Sequence, residues 1–185
     1  LTGGHVWADR FDGNVTDIFA VQDVFVAKIV EALKVNLTTN EKTEIARAKP
    51  DNIAAKEAFE EGWSLYLHYN AKDTAAAITS LKKATELDPE YGRAYAALAL
   101  AYFRVVESLW GKELGRDEPY FWWGAHEYVE LAKKYPTSLS YTVEALRDVY
   151  QGLAEDARRN AGRAIALDPN DPEAHIAMAW ALTIS

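Results

Sequence analysis

The chain has 185 residues, 49% of them apolar and 26% charged, with 20 Lys+Arg against 28 Asp+Glu for a formal net charge of −8. That length suits one domain or one and a fraction, the apolar share supports a packed core and excludes general disorder, and net acidity without a Lys/Arg-rich run argues against nucleic acid or an anionic membrane as the main partner. Cys is absent, which excludes disulfides, thiolate metal sites and cysteine nucleophiles, and no apolar stretch approaches the ~18–20 residues of a transmembrane helix.

The chain opens at Leu1 and its single Met is Met178, so it reads as a piece of a longer protein. Thr2-Gly3-Gly4-His5-Val6-Trp7 has the character of a strand end, which alone would be marginal in water. From Asp17 to Leu37, apolar Ile18, Val21, Phe25, Ile29, Leu33 and Leu37 make an amphipathic helical stripe. Thr38-Thr39-Asn40-Glu41 is a capping box that opens a short helix ending at Pro50. Residues 13–50 are therefore expected to be a helical linker, and 1–12 a segment of another kind.

An internal repeat organises the rest. The stretch Ala84 to Ala101 recurs 80 residues later as Ala164 to Ala181, with eight of eighteen positions identical, among them Leu87-Asp88-Pro89 against Leu167-Asp168-Pro169. Proline disfavours helical backbone in the residue before it, so each Leu-Asp-Pro closes a helix. A second helix follows, and its alanines recur where two helices approach closely; Ala84, Ala99 and Ala179 are expected at such contacts. Helix–turn–helix units of about 34 residues mark a tetratricopeptide array, and the chain resembles that family. In the first unit the match includes Gly62, Ala77, Leu81, Ala84 and Pro89; in the second, Tyr95, Leu98, Ala99 and Tyr102. Pro136 follows Pro89 by 47 residues, so extra residues enter this unit, and turn-rich Gly111 to Pro119 holds them. Pro169 follows Pro136 by 33, closing a third unit whose first helix, near Leu139 to Tyr150, fits the consensus poorly. Asp171-Pro172 starts a further helix, with Asp171 as N-cap and His175, Met178, Ala179 and Leu182 as packing residues.

The expected architecture is all-α: a right-handed tetratricopeptide-type solenoid behind the linker. Its units would be 51–90, 91–136 and 137–170, with an unpaired helix at 171–185. Trp7-Ala8-Asp9-Arg10-Phe11-Asp12 together with Asp17-Ile18-Phe19-Ala20-Val21-Gln22-Asp23 resembles the end of a TolB-like α/β domain that precedes such repeats in bacterial class III adenylate/guanylate cyclases. The resemblance implies that 1–12 is a remnant of that domain. It further implies a cytoplasmic, non-catalytic interaction or regulatory scaffold in the C-terminal region of an adenylate cyclase. The same module also follows winged-helix transcription regulators, so that alternative stays open.

No phosphate-binding loop, dinucleotide fingerprint, zinc-protease motif or nucleophile elbow occurs, and no catalytic residue, cofactor or metal is expected. His126 and Glu130 stand four apart on a helix, but two ligands without a third make a weak metal site, and a solvated face is the simpler reading. His68 and His175 fall on packing or rim positions. Asn14-Val15-Thr16 and Asn36-Leu37-Thr38 match a glycosylation sequon, a frequent chance pattern. Two surfaces carry the functional reading. Stacked first helices would form a groove lined by Phe59, Trp63, Tyr66, Arg93, Leu100, Phe103 and Arg104, the residue types that anchor protein partners; the linker folding over it is the competing arrangement. On the last helix Ile176, Trp180 and Ile184 would face solvent and support self-association. Trp110 and Tyr120-Phe121-Trp122-Trp123 flank the inserted turn, and four consecutive aromatics cannot all be buried by one neighbour. A spacer or dimerisation stalk, and a small-ligand sensor, are the alternatives to a partner-binding module.

Overall fold

The computed structural model describes residues 52–184. The strand end, the linker helices and the sequons expected in the first fifty residues lie outside that range. Among the described residues there are seven α-helices and no strand: α1 (Ile53–Tyr66), α2 (Ala71–Leu87), α3 (Gly92–Glu107), α4 (Glu118–Ala132), α5 (Ser138–Tyr150), α6 (Ala154–Leu167) and α7 (Pro172–Thr183). No described helix is long and apolar enough to cross a membrane.

Short polar side chains set where the helices begin. The Asn52 carboxamide accepts from the Ala54 and Ala55 amides and donates to the Leu87 carbonyl at 3.0 Å, so one cap also ties the start of α1 to the end of α2. Asn70, Asp117, Thr137 and Asp171 cap α2, α4, α5 and α7, each satisfying backbone N–H groups that have no partner within the helix. Thr137 and Ser140 make a reciprocal capping box at α5, a start signal that the poor consensus fit there had hidden. The Leu-Asp-Pro stops behave as expected. Helices α2 and α6 end at Leu87 and Leu167, with Asp88 and Asp168 in extended backbone after them.

Consecutive helices pair as hairpins, α1 with α2, α3 with α4 and α5 with α6, and α7 lies against α6 and α5. The odd-numbered helices also touch in series: α1 with α3, α3 with α5, and α5 with α7. Among the described residues the backbones of α2 and α4, like those of α4 and α6, do not approach each other. One row of helices is thus continuous and the other splays apart. Helix α3 is the spine, covered by α1, α2, α4 and α5, and Ala94, Ala96, Ala97, Ala99 and Ala101 are all fully buried on it. Alanines round the helix let four neighbours approach at once. Between α5 and α6, buried Asp148 accepts from Asn160 Nδ2 and Arg147 Nη2, both at 2.8 Å.

Ala84 and Ala99 are fully buried, but Ala179 is exposed, and so is Leu182. The backbone of α7 lies against α5 and α6 alone among the described helices, and it packs on them through Ala174, Ala177, Met178 and Ala181. The repeat copies the sequence of α3 but not its surroundings. Of the aromatic run, Phe121 is buried and Trp122 packs on the core, while Tyr120 and Trp123 are exposed.

The closest approach in the fold sits at Gly92, the first residue of α3. A Cβ there would lie 2.0 Å from the Tyr135 carbonyl oxygen and 2.6 Å from the Tyr135 Cβ. In an open helix Gly→Ala gains about 1 kcal/mol. Here the sign reverses: Gly92→Ala is expected to lower stability by about 1–3 kcal/mol in urea unfolding, the usual cost of overpacking. A stabilised variant would mean that α3 and the turn after α4 do not meet.

Candidate functional site

The continuous row of helices carries a pocket of about 140 Å³. Every helix of the row contributes to it. Helix α1 supplies Tyr66, and the turn after it Tyr69; α3 supplies Leu100, Phe103, Arg104 and Glu107, which the helical period places on one face. Helix α5 adds Leu146, and α7 adds Glu173, Ile176 and Trp180, again at helical spacing.

Arg104 organises the polar side. Its guanidinium lies 4.1 Å from the Tyr66 ring centre and 4.3 Å from that of Tyr69, within cation–π range of both. Its Nη2 donates to the Tyr66 hydroxyl and stands 3.6 Å from Glu173 Oε1. The Tyr66 hydroxyl in turn donates to Glu173 Oε1 at 3.3 Å. Burial, with the neighbouring Glu173 charge, pushes the Tyr66 hydroxyl far above its ordinary range, so it remains a donor. Burial also raises the Glu173 carboxyl, and Arg104 and Tyr66 only partly oppose this. Glu107 is raised for the same reason and accepts from the Tyr150 hydroxyl. The Tyr150 ring meets Phe103 at 5.2 Å and Trp180 edge-on at 6.2 Å.

The structure brings together residues that the sequence assigned to two surfaces. Tyr66, Leu100, Phe103 and Arg104 line this pocket, and Ile176 and Trp180 open into the same one. Ile176 and Trp180 keep 46% and 36% of their surface exposed, enough to present an apolar contact. Ile184 sits just past α7, half-buried, with its carbonyl accepting from Arg158. Phe59, Trp63 and Arg93 lie further along the row. Phe59 stacks on Trp63 at 6.1 Å, Trp63 on Tyr66 at 5.2 Å, and the Arg93 guanidinium lies over Phe59 at 5.4 Å. Phe59, Tyr66, Leu100 and Phe103 are buried, so they form the floor rather than the accessible wall.

Tyr69, Glu107, Leu146, Tyr150 and Glu173 were not foreseen. Glu107 follows Arg104 by one helical turn and could have been found by extending the α3 face. Tyr69 lies in a turn and Glu173 reads as an ordinary acidic first-turn residue, so neither carries a signal in one dimension. The histidines have other employment. His126 Nδ1 donates to the Trp122 carbonyl at 2.9 Å, His68 pairs with Asp73 at 2.8 Å, and His175 Nε2 donates to the Pro169 carbonyl at 2.8 Å. Glu130, four residues from His126, accepts instead from Arg147 at 2.8 Å and Lys133 at 3.3 Å. Among the described residues no three His, Asp or Glu side chains converge as a metal site.

No family model matches the chain, and no solved structure matches it. Over 99 residues, 54% of the chain, it is 35% identical to a Rhizobium meliloti (strain 1021) protein named "Putative adenylate cyclase 3". That stretch is 17% of the relative, so the chain spans under a fifth of the protein it matches.

Removing Arg104 tests the polar tie. Glu173 already has a folded pKa above its ordinary value, and losing the cation raises it further. A raised carboxyl favours the folded state only while protonated, and that advantage is lost as pH rises through the folded pKa. Arg104→Leu is therefore expected to cost about 1.5–3 kcal/mol at pH 8. The loss should be smaller at pH 5, as measured by urea unfolding at each pH. An equal loss at both would show that Arg104 acts only through packing.

Proposed function

We propose that this chain is a tetratricopeptide-type helical array that serves as a non-catalytic interaction region of a cyclase-linked signalling protein. In this reading its inner face holds a short segment of a partner protein. The single observation that carries it is the pocket to which α1, α3, α5 and α7 all contribute. The 80-residue sequence repeat and the touching row of odd-numbered helices support the array. The 35% identity with a part of the Rhizobium relative supports the link to cyclase signalling.

The physical case rests on preorganisation. The floor is already packed, Arg104 is held by two rings and two oxygens, and the accessible wall is aromatic and aliphatic. A segment that docks there orders little of the receptor, so more of its contact energy appears as affinity. Aromatic side chains beside an arginine are the composition of binding hot spots.

Selection of a displayed library of random twelve-residue peptides against the purified chain tests this directly. Sequences are expected to be enriched by the wild type and not by Trp180→Asp, whose melting temperature is checked in parallel. No enrichment over an uncoated support would overturn the reading.

A further inference from the structure

Each odd-numbered helix that leads into a hairpin is followed within three residues by one of positive φ, Tyr69 at 52°, Leu109 at 56° and Gly152 at 72°, and the longer α3–α4 link has a second at Gly115, 76°. Glycine takes this conformation freely, whereas the Cβ of any other residue crowds the following carbonyl oxygen. Burial does not offset that crowding here, because Tyr69 is 61% exposed and Leu109 is 73% exposed. The third turn shows that glycine serves in this position. At the edge of the pocket, contacts with Arg104 and Trp110 hold the Tyr69 ring in place, and the exposed part of the ring stays open to a partner. Tyr69 is the informative case, since its ring reaches Arg104 at 4.3 Å and meets the Trp110 ring edge-on at 5.9 Å.

The charge of the pocket indicates what that contact is. Two carboxylates, Glu107 and Glu173, face one cation, Arg104. Arg104 is committed to Tyr66, Tyr69 and Glu173. Glu107 has the Tyr150 hydroxyl as its hydrogen-bond donor, and the rings of Tyr150 and Trp180 stand beside it. Glu107 is exposed at the rim and Glu173 largely enclosed, and partial desolvation raises both carboxyls above their ordinary range, which a nearby positive charge relieves. Arg104 already illustrates the chemistry, a guanidinium received by tyrosine faces and a carboxylate. Around it Tyr69, Ile176 and Trp180 offer exposed apolar surface.

Resting on the reading that the inner face docks a peptide, we infer that the pocket takes a basic side chain of the partner, a lysine or arginine flanked by apolar residues. Glu107 receives its charge, Glu173, already paired with Arg104, adds negative potential behind it, and Tyr69, Ile176 and Trp180 cover the apolar neighbours.

The composition of the peptides selected from the random library tests it. Lys or Arg next to Leu, Ile, Val or Phe is expected to be enriched by the wild type. Selection with Glu107→Gln/Glu173→Gln should lose the basic preference while keeping peptides that bind through apolar residues. A fluorescein-labelled synthetic copy of the most enriched peptide, followed by anisotropy, is expected to bind Tyr69→Gly about tenfold more weakly. The melting temperature of the variant is measured in parallel, because glycine relieves the turn but removes the ring contacts with Arg104 and Trp110. Enrichment of acidic or uncharged peptides would overturn the basic preference and leave peptide docking standing. No enrichment of any kind would remove both. A wild type that sediments as a dimer while Trp180→Glu sediments as a monomer would assign the face to a second copy and overturn the inference.

Discussion

One guanidinium holds the inner face together. Arg104 projects from the central helix, lies against the rings of Tyr66 and Tyr69, and stands beside Glu173 on the last helix. Through the Tyr66 hydroxyl, the end of α1 and the start of α7 share a hydrogen bond across 107 residues of sequence. Around it the pocket brings Ile176 and Trp180 of α7 together with Leu100 and Phe103 of α3.

That arrangement depends on small residues elsewhere. The alanines of α3 let α1, α2, α4 and α5 crowd around it, and Gly62 and Gly92 stand where a Cβ would strike Leu81 and the Tyr135 backbone. Close packing fixes the odd-numbered helices side by side, so their aromatic faces add up to one surface. An enclosed ion pair contributes modestly to stability by itself, because desolvation offsets much of its attraction. Its larger consequence is positional. Arg104 and Glu173 keep only 12% and 13% of their side-chain surface, so their charges act where water screens them poorly.

Much of this was legible in one dimension, because the features concerned are local. Leu87-Asp88-Pro89 and Leu167-Asp168-Pro169 end helices by the steric rule for residues before proline, and Asp171 caps α7 through its own carboxylate. The α3 face was readable from the helical period, which gave Leu100, Phe103 and Arg104. Ala179 misled because burial belongs to the neighbourhood and not to the repeat: its counterpart Ala99 has helices on all sides. Tyr69 and Glu173 were illegible for a related reason. A turn residue with positive φ and a first-turn glutamate gain their roles only from Arg104, which reaches them across the fold.

The claim that Arg104, Tyr66 and Glu173 join the two ends of the row is open to a direct measurement. Backbone amide exchange of Tyr66→Phe, which keeps the ring and removes only the hydroxyl, should show faster exchange at α7 amides near Glu173 as well as at the end of α1. A change confined to α1, with α7 protected as in the wild type, would contradict the tie and leave the pocket a chance meeting of independent helices.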